Sequence, residues 1–276
     1  MIKCAASLAR DTKPRVVWER LYGIVGLALA ATLVTGPTLA ADMTMKAPAA
    51  SAYQWSGCYL GVNVAGGASG TNFASAVGPG TYLAAGDAAT VGGSGGGGAN
   101  ADGILAGAQA GCNFQSGTLV YGLEGDFDYF HTDPQFNNNT NTLANGNAFA
   151  ISQSLTTNFL ATVRPRIGIA ADRNLAYITG GAAFTSVSYT TSYVDANTPP
   201  GTGTASASRA LVGWTAGAGW EYAWADHWTV RAEYLLASFP TTNALGTIAG
   251  AGGTNTLHGS TDLVIQIVRA GVNFRF

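Results

Sequence analysis

Eight stretches of this chain alternate apolar and polar residues with a period of two, and within them nearly all charge keeps to one parity. The stretches run roughly over 54–66, 103–114, 118–129, 155–170, 174–190, 208–225, 228–239 and 261–276. Period-two alternation is the mark of a strand with two unlike faces. In the last stretch Val268, Ala270, Val272, Phe274 and Phe276 share one face, and Arg269, Gly271, Asn273 and Arg275 share the other. Elsewhere Glu124, Asp126 and Asp128 oppose Leu123 and Phe127, and Arg164 and Arg166, grouped with Asn158 and Thr162, oppose Val163 and Ile167. Glu221 opposes Trp220 and Tyr222, while Arg231 and Glu233 oppose Val230, Ala232 and Tyr234. The stretch at 174–190 has no clear face.

A soluble sandwich would turn its charged face to water and carry many lysines. Here Lys46 is the one lysine after residue 41, and charged residues make up 10% of the chain, against about 25% in a typical soluble domain. The balanced set of Arg164, Arg166, Arg231, Arg269 and Arg275 with Glu124, Asp126, Asp128, Glu221 and Glu233 therefore predicts an ion-pair network inside a barrel, with lipid outside. Gly61, Gly107, Gly111, Gly217, Gly219 and Gly271 share the charged parity and are expected to make room for the long arginines in a narrow lumen.

The connections between the stretches set the topology. Long links (about 67–102, 130–154, 191–207 and 240–260) alternate with short ones at Gln115–Gly117, Ala171–Arg173 and Asp226-His227. Short periplasmic turns and long extracellular loops are the pattern of an outer-membrane barrel. The fold class is therefore all-β, an eight-stranded antiparallel up-and-down transmembrane β-barrel over 54–276. Gly92–Gly98 reads as flexible loop. Pro165 is expected near the periplasmic rim, at a bulge. Aromatic girdles are expected from Trp55, Phe114, Trp220, Tyr222, Trp224, Trp228, Phe274 and Phe276 on the turn side, and from Tyr129, Phe130 and Tyr189 on the loop side.

Residues 1–41 read as a secretory signal: basic residues at Lys3, Arg10, Lys13, Arg15 and Arg20, an apolar stretch from Leu21 to about Val34, and Ala40-Ala41 at the cleavage site. Residues 42–53 read as a disordered lead-in. Cleavage removes five basic and two acidic residues, taking the formal charge from −2 to −5, which excludes a basic nucleic-acid footprint.

Several segments resemble the outer-membrane immunogenic proteins of alphaproteobacteria. They are Lys46-Ala47-Pro48, Trp55 to Asn63, Gly111 to Gln115, Thr162 to Gly168, Tyr177 to Gly181, and Arg269 to Phe276. The resemblance implies an eight-stranded, OmpA-like barrel of the porin family without a periplasmic peptidoglycan-binding domain. Val272, Phe274 and Phe276 resemble the signal read by the barrel-assembly machinery. That machinery, outer-membrane lipid and lipopolysaccharide are the expected partners, and a monomer is expected. Cys58 and Cys112 fall near one rim on the same parity, which predicts a cross-strand disulfide in an oxidising compartment; the alternative is two thiols out of register.

Chemistry finds little support. His131, His227 and His258 have no serine or carboxylate at a telling spacing, no Cys/His metal pattern occurs, and the glycine run lacks the Lys-Ser/Thr ending of a phosphate loop. No catalytic residue, cofactor or metal is expected. The reading is a structural or surface barrel of the envelope; a small diffusion porin is the alternative, with a lipid-modifying enzyme or a haem-binding surface protein behind it.

Overall fold

The computed structural model describes residues 53–276; the expected signal sequence and residues 42–52 of the expected lead-in lie outside them. The described residues form β1 (Gly57–Gly80), α1 (Ala85–Ser94), β2 (Gly97–Ser116), β3 (Leu119–Thr132), β4 (Gln135–Thr142), β5 (Ala148–Ala171), β6 (Asn174–Asp195), β7 (Thr202–Ala223), β8 (Trp228–Gly250) and β9 (Gly253–Arg275). All pairings are antiparallel. The strand order is β3-β2-β1-β9-β8-β7-β6-β5-β4, and a further β3–β5 pairing closes the ring.

The ninth strand does not add a ninth stave. Thr132 of β3 pairs with Thr157, and Gln135 of β4 pairs with Ser154 in the same frame along β5. β4 is thus β3 resumed after Asp133-Pro134, and the barrel has eight staves. Above the Leu105↔Phe130 pair, β2 runs beside this line without a ladder.

Most staves hold 20–24 residues, about twice the 9–11 needed to cross a bilayer. The segments expected as long loops continue the strands and fold back through short connections at 143–147, 196–201 and 251–252. On β6, Ser186, Ser188, Thr190 and Ser192 point outward, while Val187, Tyr189 and Tyr193 point inward and are buried. This is the strand pattern of a protein in water, with β-branched threonines favouring the extended backbone. The apolar outer belt (Leu60, Val62 and Val64; Ile167 and Ile169; Trp220 and Tyr222; Phe274) hugs the end that carries the short turns. That end is periplasmic, and the other half of the barrel projects outward. At this end Gly117, with φ +62°, turns β2 into β3 through a two-residue connection.

The first long link holds α1, whose Ala88, Val91 and Gly92 are buried. Val91–Ser94 form its end and Gly97 opens β2, so this glycine run is structured rather than loose. Serine, glutamine and asparagine side chains supply the reason: Ser75 Oγ donates to the Gly92 carbonyl (2.9 Å) and Asn138 Nδ2 to that of Ser94 (3.0 Å), while Gln153 Nε2 donates to that of Gly95. They bind carbonyls at the helix end that have no partner within the helix.

Candidate functional site

The lower lumen holds a layer of nine charged side chains, none more than 7% exposed. β3 supplies Glu124, Asp126 and Asp128; β5 supplies Arg164 and Arg166; β7 supplies Glu221; β8 supplies Arg231 and Glu233; and β9 supplies Arg269. Each sits at an inward position of its strand, so strand parity alone brings them together. Arg164 reaches Glu124 at 2.7 Å, Asp126 at 2.8 Å and Glu233 at 3.2 Å. Arg269 reaches Asp126 at 3.2 Å, Asp128 at 3.4 Å and Glu233 through Nε at 2.5 Å. Glu124 is the hub, within 4.0 Å of Arg164, Arg166, Arg231 and Arg269. Arg166 bonds Glu221 at 3.1 Å, and its guanidinium lies 4.9 and 5.0 Å from the ring centres of Tyr59 and Tyr177. Buried charge on this scale is tolerable only when paired.

An amide chain extends the layer. Asn63 Nδ2 donates to Gln109 (2.7 Å), Gln109 Nε2 to Asn273 (2.7 Å), and Asn273 Nδ2 to Glu221 (2.9 Å). Tyr59 donates to Glu124, and Tyr177 donates to Glu233 at 3.1 Å. These polar neutral residues escape a reading that follows charge; their inward parity was the available signal.

Apolar layers lie on both sides. Toward the periplasm, Trp55, Val120, Leu175, Tyr177 and Ala223 form a floor. Trp55 is 1% exposed and donates through Nε1 to the Asp172 carbonyl at 3.1 Å. Toward the outside, the next inward residue on β3, β5, β8 and β9 is apolar: Leu160 after Thr162, Phe130 after Asp128, Leu235 after Glu233 and Ile267 after Arg269. These begin a large buried cluster that includes α1. At the outer mouth, Asp195 accepts from Tyr82 Oη (2.6 Å), Tyr193 Oη (2.8 Å) and the backbone N–H groups of Gly201 (2.9 Å) and Asn197 (3.0 Å). Burial pushes this carboxyl's pKa up, but the four donors outweigh it and hold it below the ordinary aspartate value.

Several expectations need correction. Arg275 is not in the lumen network. It lies at the periplasmic rim with its guanidinium 4.5 Å from the Tyr53 ring centre and bonded to the Gln54 carbonyl, because β9 reaches the end of the barrel there. The layer therefore has four arginines and five carboxylates. Tyr53, expected in a disordered lead-in, is buried in the floor. Trp55, Phe130 and Tyr189 belong to no girdle, since all three point inward and are buried. Asn158 faces outward, bonded to His131 Nδ1 at 2.9 Å, because the register shifts between Thr157 and Ala161. Pro165 makes no bulge. It pairs with Leu123 on one side, and on the other the β5–β6 ladder skips from Val163 to Arg166 in unchanged frame while Thr179 Oγ1 donates to the Pro165 carbonyl at 2.9 Å. The lumenal glycines mostly make room for groups other than arginine. A Cβ on Gly219 would stand 2.5 Å from the Tyr177 ring and one on Gly61 2.5 Å from Gln109 Nε2, and only the one on Gly271 would meet an arginine, Arg231 Nε at 3.4 Å.

Cys58 and Cys112 are register partners on β1 and β2, disulfide-bonded with Cα atoms 4.0 Å apart. Val272, Phe274 and Phe276 continue the outer face at the periplasmic end, paired or flanked there by Val62, Leu60 and Cys58. His131 and His258 are exposed on outer faces, and His227 accompanies the Arg275 carbonyl at 2.8 Å. Among the described residues no three His, Cys, Asp or Glu side chains converge as metal ligands, and no helix is long and apolar enough to cross a membrane.

A closed ring of antiparallel strands, apolar toward lipid and charged within, defines an outer-membrane β-barrel protein. The chain belongs to the family described as outer membrane protein beta-barrel domain, which it matches over residues 38–276. It is 29% identical to the 31 kDa outer-membrane immunogenic protein of Brucella melitensis over 91% of this chain and 98% of that protein. It is 28% identical to the 25 kDa outer-membrane immunogenic protein of Brucella abortus over 62% of this chain and 65% of that one. Among solved structures it is similar to the outer membrane protein OprG from Pseudomonas aeruginosa (11% identity, TM-score 0.38, 81% of this chain and 99% of that one). It is also similar to the outer membrane protease OmpT from Escherichia coli (7% identity, TM-score 0.42, 79% and 97%).

Proposed function

We propose that the protein is a closed, non-enzymatic barrel that serves as a structural and surface element of the outer membrane. The observation that carries this reading is the stacking of the lumen: a charge layer no more than 7% exposed, with Trp55 beneath it and an apolar cluster above. An eight-stranded ring is just wide enough for side chains to fill it, and ions crossing this one would have to break paired charges. The projecting half, with its Ser, Thr and Asn surface, presents the protein to the surroundings. The immunogenic naming of the Brucella relatives suits such exposure.

Planar-bilayer recording on refolded protein tests the reading. The expected result is a quiet membrane; stable conductance steps would support the diffusion-pore alternative instead. A lipid-hydrolysis assay that registers activity, lost in His131→Ala or His258→Ala, would overturn the non-enzymatic part.

A further inference from the structure

The wall itself is interrupted at one depth. β7 and β8 pair from Ala223↔Thr229 up to Trp214↔Ser238, and again from Ala205↔Gly246 to Thr202↔Ala249. Between these blocks, residues 206–213 of β7 and 239–245 of β8 have no ladder partners across the seam. Pro240 lies in the unpaired part of β8 and is exposed. Leu211 and Phe239 are buried behind the seam, so it is an exposed pair of backbone edges rather than a hole.

The outer belt fixes the depth of this seam. On β7 the outward residues Tyr222, Trp220, Ala218, Ala216 and Trp214 span about the length that crosses the hydrocarbon. Trp214 is 53% exposed and Val212 62%, and an outward tryptophan at that height marks the interface. Unpaired backbone is excluded from the hydrocarbon itself. The seam therefore opens at the level of the outer-leaflet headgroups, where sugar hydroxyls and phosphates take the place of strand partners.

One cation stands in it. Arg209 pairs with Val187, whose side chain is inward and buried, yet Ser208, Arg209 and Ala210 are all exposed and break the alternation. Behind Arg209 the barrel is filled by the apolar cluster, so its guanidinium leaves through the seam. Among the described residues Arg209 is the one arginine or lysine of the outer half, where the exposed His131 and His258 also lie; the other arginines are in the charge layer or, like Arg173 and Arg275, at the periplasmic rim. The remaining unladdered edge, on β2 above Leu105, carries the outward Asp102 instead. On the far side of β8, Asp262 accepts from the backbone N–H of Asn72 at 2.7 Å and from its side chain. Beside the seam the outer face above Trp214 mixes apolar groups, Pro240 exposed and Leu245 66% exposed, with the exposed polar Thr241 and Asn243.

We propose that the β7–β8 seam binds a phosphorylated glycolipid of the outer leaflet. A phosphate sits on Arg209, sugar hydroxyls on Ser206, Ser208 and the free strand edges, and an acyl chain along Val212 and Trp214. The inference rests on the membrane orientation given above and not on the closed lumen, so conductance would leave it standing.

The test uses the refolded barrel in zwitterionic micelles, titrated with bisphosphorylated lipid A, with the same lipid stripped of phosphate, and with inorganic phosphate. Removing a charged hydrogen bond is worth roughly tenfold in affinity or more. The expected result is a preference of that size for the phosphorylated lipid in the native protein, lost in Arg209→Gln, largely kept in Arg209→Lys and fully kept in the periplasmic control Arg173→Gln. Heat-shifted mobility on gels confirms that each variant is folded. Equal affinity for the two lipids, or an unchanged preference in Arg209→Gln, would overturn the proposal. Displacement of the lipid by millimolar inorganic phosphate would overturn the lipid as the ligand.

Discussion

The two halves of the barrel wall are mirror images in polarity. In the membrane half, β8 turns Val230, Ala232 and Tyr234 outward and Arg231 and Glu233 inward. Farther up the same sheet, β9 turns Asp262, Ser260 and His258 outward and Leu257, Leu263 and Ile265 inward. Strand parity carries through the change; what each face meets does not. Lipid replaces water outside, and the interior adjusts from ion pairs to aliphatic packing within two residues, as at Arg269 and Ile267. A single architecture thus obeys two solvents, and its ion-pair network lies only where its exterior faces lipid.

The comparison implies that the halves fail differently when cut. The largest effect is expected at the hub of the charge layer. Glu124→Ala leaves four arginines short of a partner in a sealed space and should cost about 3–5 kcal/mol in urea unfolding from micelles. Replacing Arg166 and Glu221 together by Met and Leu should cost much less than either alone, since stranded charge rather than lost attraction is the penalty. In the outer half the matching cut is Leu105→Ala, at a side chain with no exposure. A cavity there should cost about 2–5 kcal/mol, and a partner substitution should give no such rescue. If both sites respond alike to paired substitution, the two interiors are not distinct.

Smaller effects sharpen the contrast at the ends. The Cys58–Cys112 bond closes a chain separation of 54 residues at the periplasmic rim, so Cys58→Ser should lower stability by about 2–4 kcal/mol without altering exchange at the outer mouth. There, the contribution of Asp195 should be lost only in acid. Its native pKa is depressed, so its contribution is complete above the unfolded value of about 3.9 and fades as pH falls through the lower native value. Protection factors against amide exchange at Asn197 and Gly201, which remove the intrinsic pH dependence of exchange, should be unchanged from pH 7 to about 5 and fall below about pH 4. Asp195→Asn should lower them above that range, at a cost of about 1 kcal/mol.

The membrane half was legible because its alternation is written in strong contrasts, such as Arg231 against Val230. Eight staves, their order and nine of ten lumenal charges follow from that parity. Most of the outer half reads as loop in the sequence because its contrasts are muted: Ser192 beside Tyr193 or Thr256 beside Leu257 alternates in polarity without charge, and Gly and Asn are common there. Asn158 was misplaced for a different reason, since one bulge reverses parity and leaves no trace in composition. Arg275 kept the right parity but ran out of barrel. Trp55 and α1 were missed because both act by filling an end of the lumen, a contact across the whole width of the fold. The seam was equally hidden, as pairing between β7 and β8 is a property of neither strand alone.

The inversion of the wall is tested most directly by one residue type placed at two heights on the same face of β6. Ile178→Arg, in the lipid belt, should cost about 2–4 kcal/mol in bilayer refolding, whereas Ser188→Arg should stay within about 0.5 kcal/mol. Equal costs, or a larger one at Ser188, would contradict the account.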